Sequence, residues 1–212
     1  MTDAAVREQI RSLGVSRESL EKLAAYVALL LTWQRKINLI GPSTAEQVWT
    51  RHILDAVQLL PLLGPNPVRL ADLGSGAGIP GLVLSIAGGH QAHLYESNGK
   101  KAAFLGQAIR VTGAPATVQQ VRLEDLPGMT DLPQVDVVVA RALAPLPLLL
   151  DYATPFLKAG ARALFHKGQD VDMELTEATK YWKLLWKTHP SLTDSRGVIL
   201  EIKEASRVQP AG

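Results

Sequence analysis

The strongest chemical signal in the sequence is a glycine-rich segment, Asp72-Leu-Gly-Ser-Gly-Ala-Gly-Ile-Pro-Gly81. It follows a strand-like run directly and opens a helical pattern. Glycines at such a place let the backbone turn tightly and approach a ligand with no Cβ atom in between. The first N–H groups of the following helix are free and lie at its positive end, which favours polar or anionic ligands. This segment, called the glycine turn below, predicts a cofactor site; a structural turn without a ligand is the alternative.

Two cofactors fit the glycine turn. Gly76, Gly78 and Gly81 satisfy the G-x-G-x-x-G pattern of nicotinamide dinucleotide sites. Asp72 and the glycines after it also form the acidic-x-Gly-x-Gly turn seen before S-adenosylmethionine, in which the aspartate orders the loop near the amino-acid end of the cofactor. Glu96 ends the second predicted strand, where a carboxylate can accept hydrogen bonds from both ribose hydroxyls. Unless Glu96 is only a solvated loop residue, it favours an adenosine-containing ligand without choosing between the two.

Two more groups follow predicted strands. Arg122-Leu123-Glu124-Asp125 comes after the third strand, where in methyltransferases the backbone and an acidic side chain frame the adenine; an ordinary acidic loop is the alternative. Arg141 comes directly after the buried run VDVVVA, where a cation is costly without a partner. We expect Arg141 either to contact a ligand or to form a structural ion pair.

These residues need a sheet that brings its strand ends together. Short β-branched runs alternate with helical runs from Val68 onward, which predicts a doubly wound, mostly parallel sheet with helices on both faces. The end of the chain predicts a helix over Val171–Trp186 and then two antiparallel edge strands, near Lys187–Leu192 and Val198–Lys203. An edge hairpin of this kind is more typical of methyltransferases than of dehydrogenases. The predicted strands are Val68–Leu73, Ala92–Tyr95, Ala116–Val121, Val135–Ala140 and Ala161–His166, with helices over Pro80–Ala87, Lys100–Val111 and Leu146–Leu157.

Residues 1–66 predict an N-terminal helical extension, and residues 67–212 one compact cofactor-binding domain. One helix begins after Ser16 and runs to about Ile37; a second begins after Ser43, with Glu46 completing a capping box, and is limited by Pro61. In the second helix, Arg51 and Asp55 stand four residues apart and could form a surface ion pair, and His52 could be a satisfied core histidine.

Composition excludes several classes of function. The 212 residues contain no cysteine, so disulfides and thiolate metal sites are excluded, and the five histidines show no metal-ligand spacing. Neither a signal peptide nor a membrane span is predicted, so we expect a cytoplasmic protein. A net charge of +2 neither demands nor excludes an RNA substrate. A Ser-His-Asp arrangement and the Tyr-x-x-x-Lys pair of many dehydrogenases are not evident.

Four co-occurring blocks over roughly residues 30 to 170 make the chain resemble a bacterial family that methylates N7 of guanine 527 in 16S ribosomal RNA. Several blocks in the family's order are far more specific than the glycine turn alone. The blocks are Asn38-Leu39 with Arg51–Asp55; the glycine turn; Glu96-Ser97 with Lys100-Lys101 and Phe104-Leu105; and Asp136 through Arg141-Ala142, followed by Lys167-Gly168.

The resemblance implies a Rossmann-like class I methyltransferase that uses S-adenosylmethionine and acts on 16S ribosomal RNA or the 30S subunit. We also expect a monomer that holds no metal. Guanine N7 carries a lone pair and no proton, so no general base is expected and no catalytic residue is named. A methyltransferase for another substrate, an NAD(P)-dependent oxidoreductase and a non-enzymatic RNA-binding protein are the alternatives. Expected cofactor contacts are Asp72, Gly74, Gly76, Ile79, Glu96, Ser97, Leu123, Glu124 and Arg141; expected RNA contacts are Arg51, His52, Lys100 and Lys167.

Overall fold

In the computed structural model, which describes residues 2–208, seven strands form one sheet in the order β3-β2-β1-β4-β5-β7-β6. The first five strands are parallel, whereas β7 is antiparallel to both β5 and β6. The doubly wound sheet and the antiparallel edge hairpin are therefore confirmed. The strands are β1 Arg69–Leu73, β2 Gln91–Tyr95, β3 Ala116–Gln119, β4 Val137–Arg141, β5 Arg162–Lys167, β6 Trp182–Pro190 and β7 Val198–Arg207.

Helices cover both faces of the sheet, and each face has its own hydrophobic core. One core joins the N-terminal helices and α5 and α6 to β1 and β2; the other lies beneath α7 and α8. Among the described residues, no helix is both long and apolar enough to cross a bilayer. The helices are α1 Asp3–Ser12, α2 Arg17–Gln34, α3 Asp55–Val57, α4 Leu60–Leu63, α5 Gly81–Gly88, α6 Gly99–Thr112, α7 Leu146–Lys158 and α8 Val171–Ala178.

The N-terminal segment packs against the sheet domain through aromatic side chains. Tyr26 of α2 is fully buried beside Phe104 of α6, with ring centroids 6.2 Å apart. Trp33, also on α2, meets the same phenylalanine edge-on at 5.8 Å. Burial of large aromatic surfaces is among the strongest stabilising contributions in a core. The extension thus shares a core with the domain that carries the glycine turn.

The predicted helix over Val171–Trp186 is wrong in its second half. Helix α8 ends at Ala178, and the next residues turn into β6, which begins at Trp182. Leu184, Leu185 and Trp186 give this stretch an apolar content that also suits a helix. Pairing with β7 along the whole of β6, with one register shift after Leu185, supplies a hydrogen-bonding partner that the local sequence does not reveal.

The predicted second helix of the extension is helical in the structure, but it is irregular and lacks the expected capping box. Pro42–Gln47 is a 3₁₀ helix in which Ser43 makes no capping bond, and Trp49–Leu54 is a π-helix. Pro61 does not end a helix; it lies in the first turn of α4, where its missing N–H costs little. Irregular turns of this kind often mark functional sites. The π-helix is the segment that carries two of the expected RNA contacts.

Candidate active site

The glycine turn is held in place by backbone hydrogen bonds to the neighbouring strand. The N–H of Ser75 donates to the carbonyl of Tyr95 at 2.9 Å, and its hydroxyl donates to the carbonyl of Asp72 at 2.9 Å. Gly74, Gly76 and Gly78 have φ values of 66°, 56° and 84°. Residues with a side chain rarely adopt this left-handed region. The alternation of glycine in the sequence is therefore required by the backbone path.

Asp72 orders the glycine turn from beneath. Its Oδ2 accepts a hydrogen bond from the N–H of Gly81 at 3.1 Å, while Oδ1 is buried without a partner. A Cβ at Gly81 would lie 2.5 Å from that of Asp72, so only glycine allows α5 to begin so close to β1. Complete burial raises the pKa of Asp72 to about 7, against an ordinary 3.8. A buried acceptor without a partner is a costly group that a ligand donor would satisfy.

Glu96 links the glycine turn to the start of α6. Its Oε2 accepts from the N–H of Gly76 at 2.9 Å, and its Oε1 accepts from the N–H of Asn98 at 2.8 Å. Ser97 beside it is exposed. Asn98, which the sequence analysis did not single out, caps α6 by accepting from the N–H groups of Lys100 and Lys101. An asparagine directly before a helical run is a signal that could have identified this cap.

The remaining expected contacts on this side are more scattered. Ile79 is buried within the glycine turn. Leu123 and Glu124 begin a 3₁₀ helix over Leu123–Gly128, which follows β3. Glu124 is exposed and accepts a hydrogen bond from the Tyr152 hydroxyl at 3.2 Å. Their contact with a cofactor, like that of the other expected residues, stays a prediction.

Arg141, at the end of β4, forms a largely buried ion pair. Its Nη1 lies 2.8 Å from Oδ2 of Asp55 and 2.9 Å from the carbonyl of Arg51, and its Nη2 lies 2.6 Å from Nδ1 of His52. The side chains of Arg141 and Asp55 are only 18% and 15% exposed. The ion pair, one of the two outcomes expected for this arginine, is what forms.

Asp55 is the hub that joins four parts of the chain. Its Oδ1 accepts from the Thr193 hydroxyl in the turn between β6 and β7, and its carbonyl lies 2.8 Å from Nε2 of His166 on β5. Burial alone would raise the pKa of Asp55, but His166, Thr193 and Arg141 outweigh burial and lower it. Asp55 is therefore ionised at neutral pH. Nothing in the local sequence pointed to this role.

The two histidines at the hub are neutral at physiological pH. Burial, reinforced by Arg141, lowers the pKa of His52 to about 4, and burial lowers that of His166. Because Arg141 donates to Nδ1 of His52, the proton sits on Nε2, which lies 2.7 Å from the Thr44 hydroxyl. With 5% of its surface exposed, His52 is a satisfied core histidine.

The other expected RNA contacts differ in accessibility. Arg51 does not pair with Asp55; its Nη1 lies 3.7 Å from Oδ2 of Asp194, because the π-helix changes the spacing of side chains and Arg141 takes up Asp55. Lys167 is 6% exposed and paired with Glu174 at 2.6 Å. Lys100 lies exposed in the first turn of α6.

A cavity of about 320 Å³ opens beside this hub, at the carboxyl ends of β4 and β5. Its wall includes Arg51, Asp55, Arg141, His166, Thr193 and Asp194. A second cavity of the same volume lies beside it and shares Arg141, Ala142 and Lys167. Within residues 2–208, no cluster of three or more histidine, aspartate or glutamate side chains is arranged to hold a metal ion. Thr193 and Asp194 lie in the turn between β6 and β7, so this turn forms part of the cavity wall. The sequence did not indicate that the turn would lie there.

The loop after β4 joins the cavity to the glycine turn. Ala142 has φ of 49°, a strained value for a residue with a side chain, and it lines the cavity. The next residue, Leu143, packs against Gly74. A Cβ added to Gly74 would lie 2.5 Å from Leu143 Cδ1. The glycine turn and the cavity therefore lie on either side of residues 141–143.

Known proteins resemble this chain over most of its length. A family model described as GidB, rRNA small subunit methyltransferase G, matches residues 19–202. The ribosomal RNA small subunit methyltransferase G of Paramagnetospirillum magneticum is 48% identical over 200 residues, covering 94% of this chain and 96% of that protein.

Two solved structures share the fold at low sequence identity. A TehB-like SAM-dependent methyltransferase from Corynebacterium glutamicum aligns with a TM-score of 0.52 and 16% identity, covering 76% of this chain and 92% of that chain. A variant of MtNAS in complex with S-adenosylmethionine aligns with a TM-score of 0.56 and 15% identity, covering 95% of this chain and 77% of that one.

Proposed function

We propose, because the chain belongs to the rRNA small subunit methyltransferase G family, that it transfers a methyl group from S-adenosylmethionine to N7 of guanine 527 in 16S ribosomal RNA. The family matches establish a methyltransferase of small-subunit ribosomal RNA as the coarse activity. The atom and the position follow from the resemblance carried by the four sequence blocks. We expect the enzyme to act as a monomer on 16S ribosomal RNA or the 30S subunit.

One observation carries the proposal: a glycine turn and a polar cavity adjoin each other at the same edge of the sheet. Open α/β sheets bind ligands at the carboxyl ends of their strands. Asp72 lies one residue before the end of β1 and Glu96 directly follows β2, whereas β4 and β5 end beside the cavity. Residues 141–143 connect the two. A group-transfer enzyme needs this adjacency of a donor site and an acceptor site.

The glycine turn fits S-adenosylmethionine. The buried, unpartnered Oδ1 of Asp72 offers an acceptor, and Glu96 presents a carboxylate at the end of β2. When bound, S-adenosylmethionine supplies an electrophilic methyl group on a sulfonium. The residues proposed to hold it are Asp72, Gly74, Gly76, Ile79, Glu96, Ser97, Leu123, Glu124 and Arg141.

The chain's own part in the reaction is positioning. Guanine N7 has an in-plane lone pair, so no side chain needs to remove a proton from it. Aligning two reactants contributes on the order of 7–11 kcal/mol at best. Arg141 is engaged by Asp55 and is expected to hold the site's shape and ligands; its replacement by alanine should raise the KM for cofactor or RNA more than it lowers kcat.

The oxidoreductase alternative is disfavoured by the sheet. A dinucleotide-binding Rossmann domain continues its parallel strands in the order 3-2-1-4-5-6. In this chain β7 is antiparallel and lies between β5 and β6. Gly81, the third glycine of the nicotinamide pattern, is accounted for by its contact with Asp72.

The test is methyl transfer from labelled S-adenosylmethionine to 30S subunits and to protein-free 16S RNA, followed by mapping of the modified base. Each substrate is paired with one that carries adenine at position 527. Label on N7 of guanine 527, absent from the adenine control, is the expected result. Binding of S-adenosylmethionine without transfer to either substrate would discard the RNA target, and no binding would discard the cofactor.

A further inference from the structure

The cavity beside Asp55 is balanced in charge, which decides the kind of ligand it suits. Arg141 is neutralised by Asp55, Lys167 by Glu174, and Arg51 faces Asp194. The two histidines in the wall have lowered pKa values and are neutral. A phosphate site would carry a surplus of positive charge. Balanced donors and acceptors instead suit a neutral polar group such as a nucleobase.

Two of the charged groups have unused hydrogen-bonding capacity. Both oxygens of Asp55 are occupied, by Thr193 and Gln58 on one side and by Arg141 on the other. Arg51 and Asp194 are different: their closest approach is 3.7 Å, and their side chains are 41% and 38% exposed. Such a loose, accessible pair contributes little to stability. Apart from a 3.5 Å contact between Arg51 Nη1 and the Thr193 carbonyl, the Arg51 guanidinium and Oδ2 of Asp194 can therefore form hydrogen bonds with a ligand in the cavity.

The turn that carries Asp194 is built to hold it. The Ser191 N–H donates to the Gly197 carbonyl at 3.1 Å, and the Gly197 N–H donates to the Asp194 carbonyl at 3.0 Å. Oδ1 of Asp194 accepts from the Arg196 N–H at 3.0 Å, which leaves Oδ2 toward Arg51. The Thr193 hydroxyl ties the same turn to Asp55. A preorganised acceptor of this kind loses little entropy when it binds.

From these contacts we infer that the cavity receives the target guanine, and that Asp194 and Arg51 read its identity. The Asp194 carboxylate accepts hydrogen bonds from the N1–H and N2–H groups, and the Arg51 guanidinium donates to O6. Enzymes that modify a base commonly read its Watson–Crick edge in a pocket. In this arrangement N7 makes no contact with Asp194 or Arg51. It faces the wall formed by Arg141 and Ala142, which adjoins the glycine turn. The inference rests on the proposed function and adds the residues that select guanine.

The cavity has a suitable size and place. Its volume of about 320 Å³ lies at the lower end of small-ligand sites. Ala142 lines it, and Leu143 lies against Gly74 of the glycine turn. A base in the cavity would therefore lie next to the proposed methyl donor site rather than across the molecule from it.

The experiment compares guanine with inosine at the target position, because inosine lacks only the N2 amino group. Methyl transfer to reconstituted 30S subunits carrying either base is measured with the wild type and with Asp194→Asn and Arg51→Gln. Asparagine keeps the acceptor that the Arg196 N–H needs but loses the charge. Glu204→Gln, on an exposed residue at the far end of the same hairpin, is the matched control. Calorimetric affinity for S-adenosylmethionine and thermal unfolding are recorded for every variant.

The wild type should prefer guanine over inosine by about 10-fold in kcat/KM, because inosine lacks one of the two groups that Asp194 is inferred to contact. Asp194→Asn should lower kcat/KM on guanine by about 10- to 100-fold and lose the preference. Arg51→Gln should lower kcat/KM on both bases equally and keep the preference, since both carry O6. Cofactor affinity should be unchanged in both variants, and Glu204→Gln should match the wild type.

An Asp194→Asn variant that still prefers guanine as the wild type does would overturn the inference and leave the proposed function intact. So would a wild type that methylates both bases equally. If the wild type methylates no guanine in either RNA substrate, the inference fails together with the proposed function, and the base-mapping experiment identifies that case.

Discussion

The two halves of the proposed active site differ in how the chain builds them. The glycine turn and Glu96 lie within 25 residues of one another, and backbone groups make most of the contacts. The cavity joins residues from the extension, β4, β5 and the final turn; Arg51 and Thr193 are separated by 142 positions. Side chains contact one another or distant backbone carbonyls there, and one largely buried carboxylate, that of Asp55, holds them together. A site made of backbone leaves a pattern in the sequence, whereas a site made of distant side chains does not.

The contrast also has an electrostatic side. Asp72 is a buried carboxylate with a free oxygen and a raised pKa, which suits a site waiting for a donor. Asp55 is a largely buried carboxylate with both oxygens engaged and a lowered pKa, which suits a structural hub. Replacing Asp72 should therefore have different consequences from replacing Asp55.

The largest effect is expected from the hub. Asp55→Ala leaves Arg141 buried without its partner, which should lower the free energy of unfolding by about 3 kcal/mol and abolish methyl transfer. Denaturant unfolding and steady-state kinetics measure the two effects. The double variant with Arg141→Met removes the stranded charge and should regain most of the stability without the activity. A single variant as stable as the wild type would contradict the role of Asp55.

The next effect tests the backbone half of the site. Gly74→Ala forces a Cβ into left-handed backbone and against Leu143, and should weaken S-adenosylmethionine binding by about 10-fold, or 1.4 kcal/mol. Gly89→Ala is the matched control, because its φ is 69° and nothing lies within 4 Å of the added atom. The control should lose about 1 kcal/mol of stability and keep its cofactor affinity. Equal cofactor affinities in the Gly74→Ala and Gly89→Ala variants would show that the glycine turn does not bind the cofactor.

The third effect follows from Asp72. With a pKa of about 7 in the folded state and 3.8 when unfolded, the native protein holds the extra proton between these values. Its free energy of unfolding should therefore decrease as the pH rises from about 4 to about 7. Below pH 7, cofactor affinity should increase with pH by at most about 10-fold per unit, because the cationic cofactor favours ionised Asp72.

Asp72→Asn is the control for this linkage, since it removes the titrating group and keeps an acceptor for the Gly81 N–H. Both pH dependences should flatten across the same window. Calorimetric titrations and unfolding curves at several pH values provide the measurement. An unchanged pH profile in the variant would assign the proton to another group.

The smallest effect probes the link between the extension and the glycine turn. The buried Tyr26 hydroxyl donates to the Ala77 carbonyl at 2.7 Å. Tyr26→Phe should cost about 1 kcal/mol of stability and weaken cofactor binding only a few-fold, since one neutral hydrogen bond is lost. Tyr181→Phe, on an exposed tyrosine, should change neither. A Tyr26 variant with wild-type affinity would show that the turn keeps its shape without the extension.

Sequence reasoning succeeded where local chemistry dominates. Glycine at Gly74, Gly76 and Gly78 is required by positive φ, and the run VDVVVA becomes the centre of a buried sheet. It failed where distant partners compete with local preference. Trp182–Pro190 became a strand because β7 pairs with it, and the segment after Ser43 became 3₁₀ and π-helix around the side chains that hold Arg141.

By itself the sequence determined the parallel sheet, the glycine turn with its two carboxylates and the family, because hydrophobic period and backbone conformation are set by near neighbours. Only the tertiary structure decided that Asp55 would hold Arg141, His166 and Thr193, and that Asp194 would face Arg51. Their separation along the chain carries no periodic signal, and an exposed aspartate in a turn looks like any other until the fold places it beside a cavity.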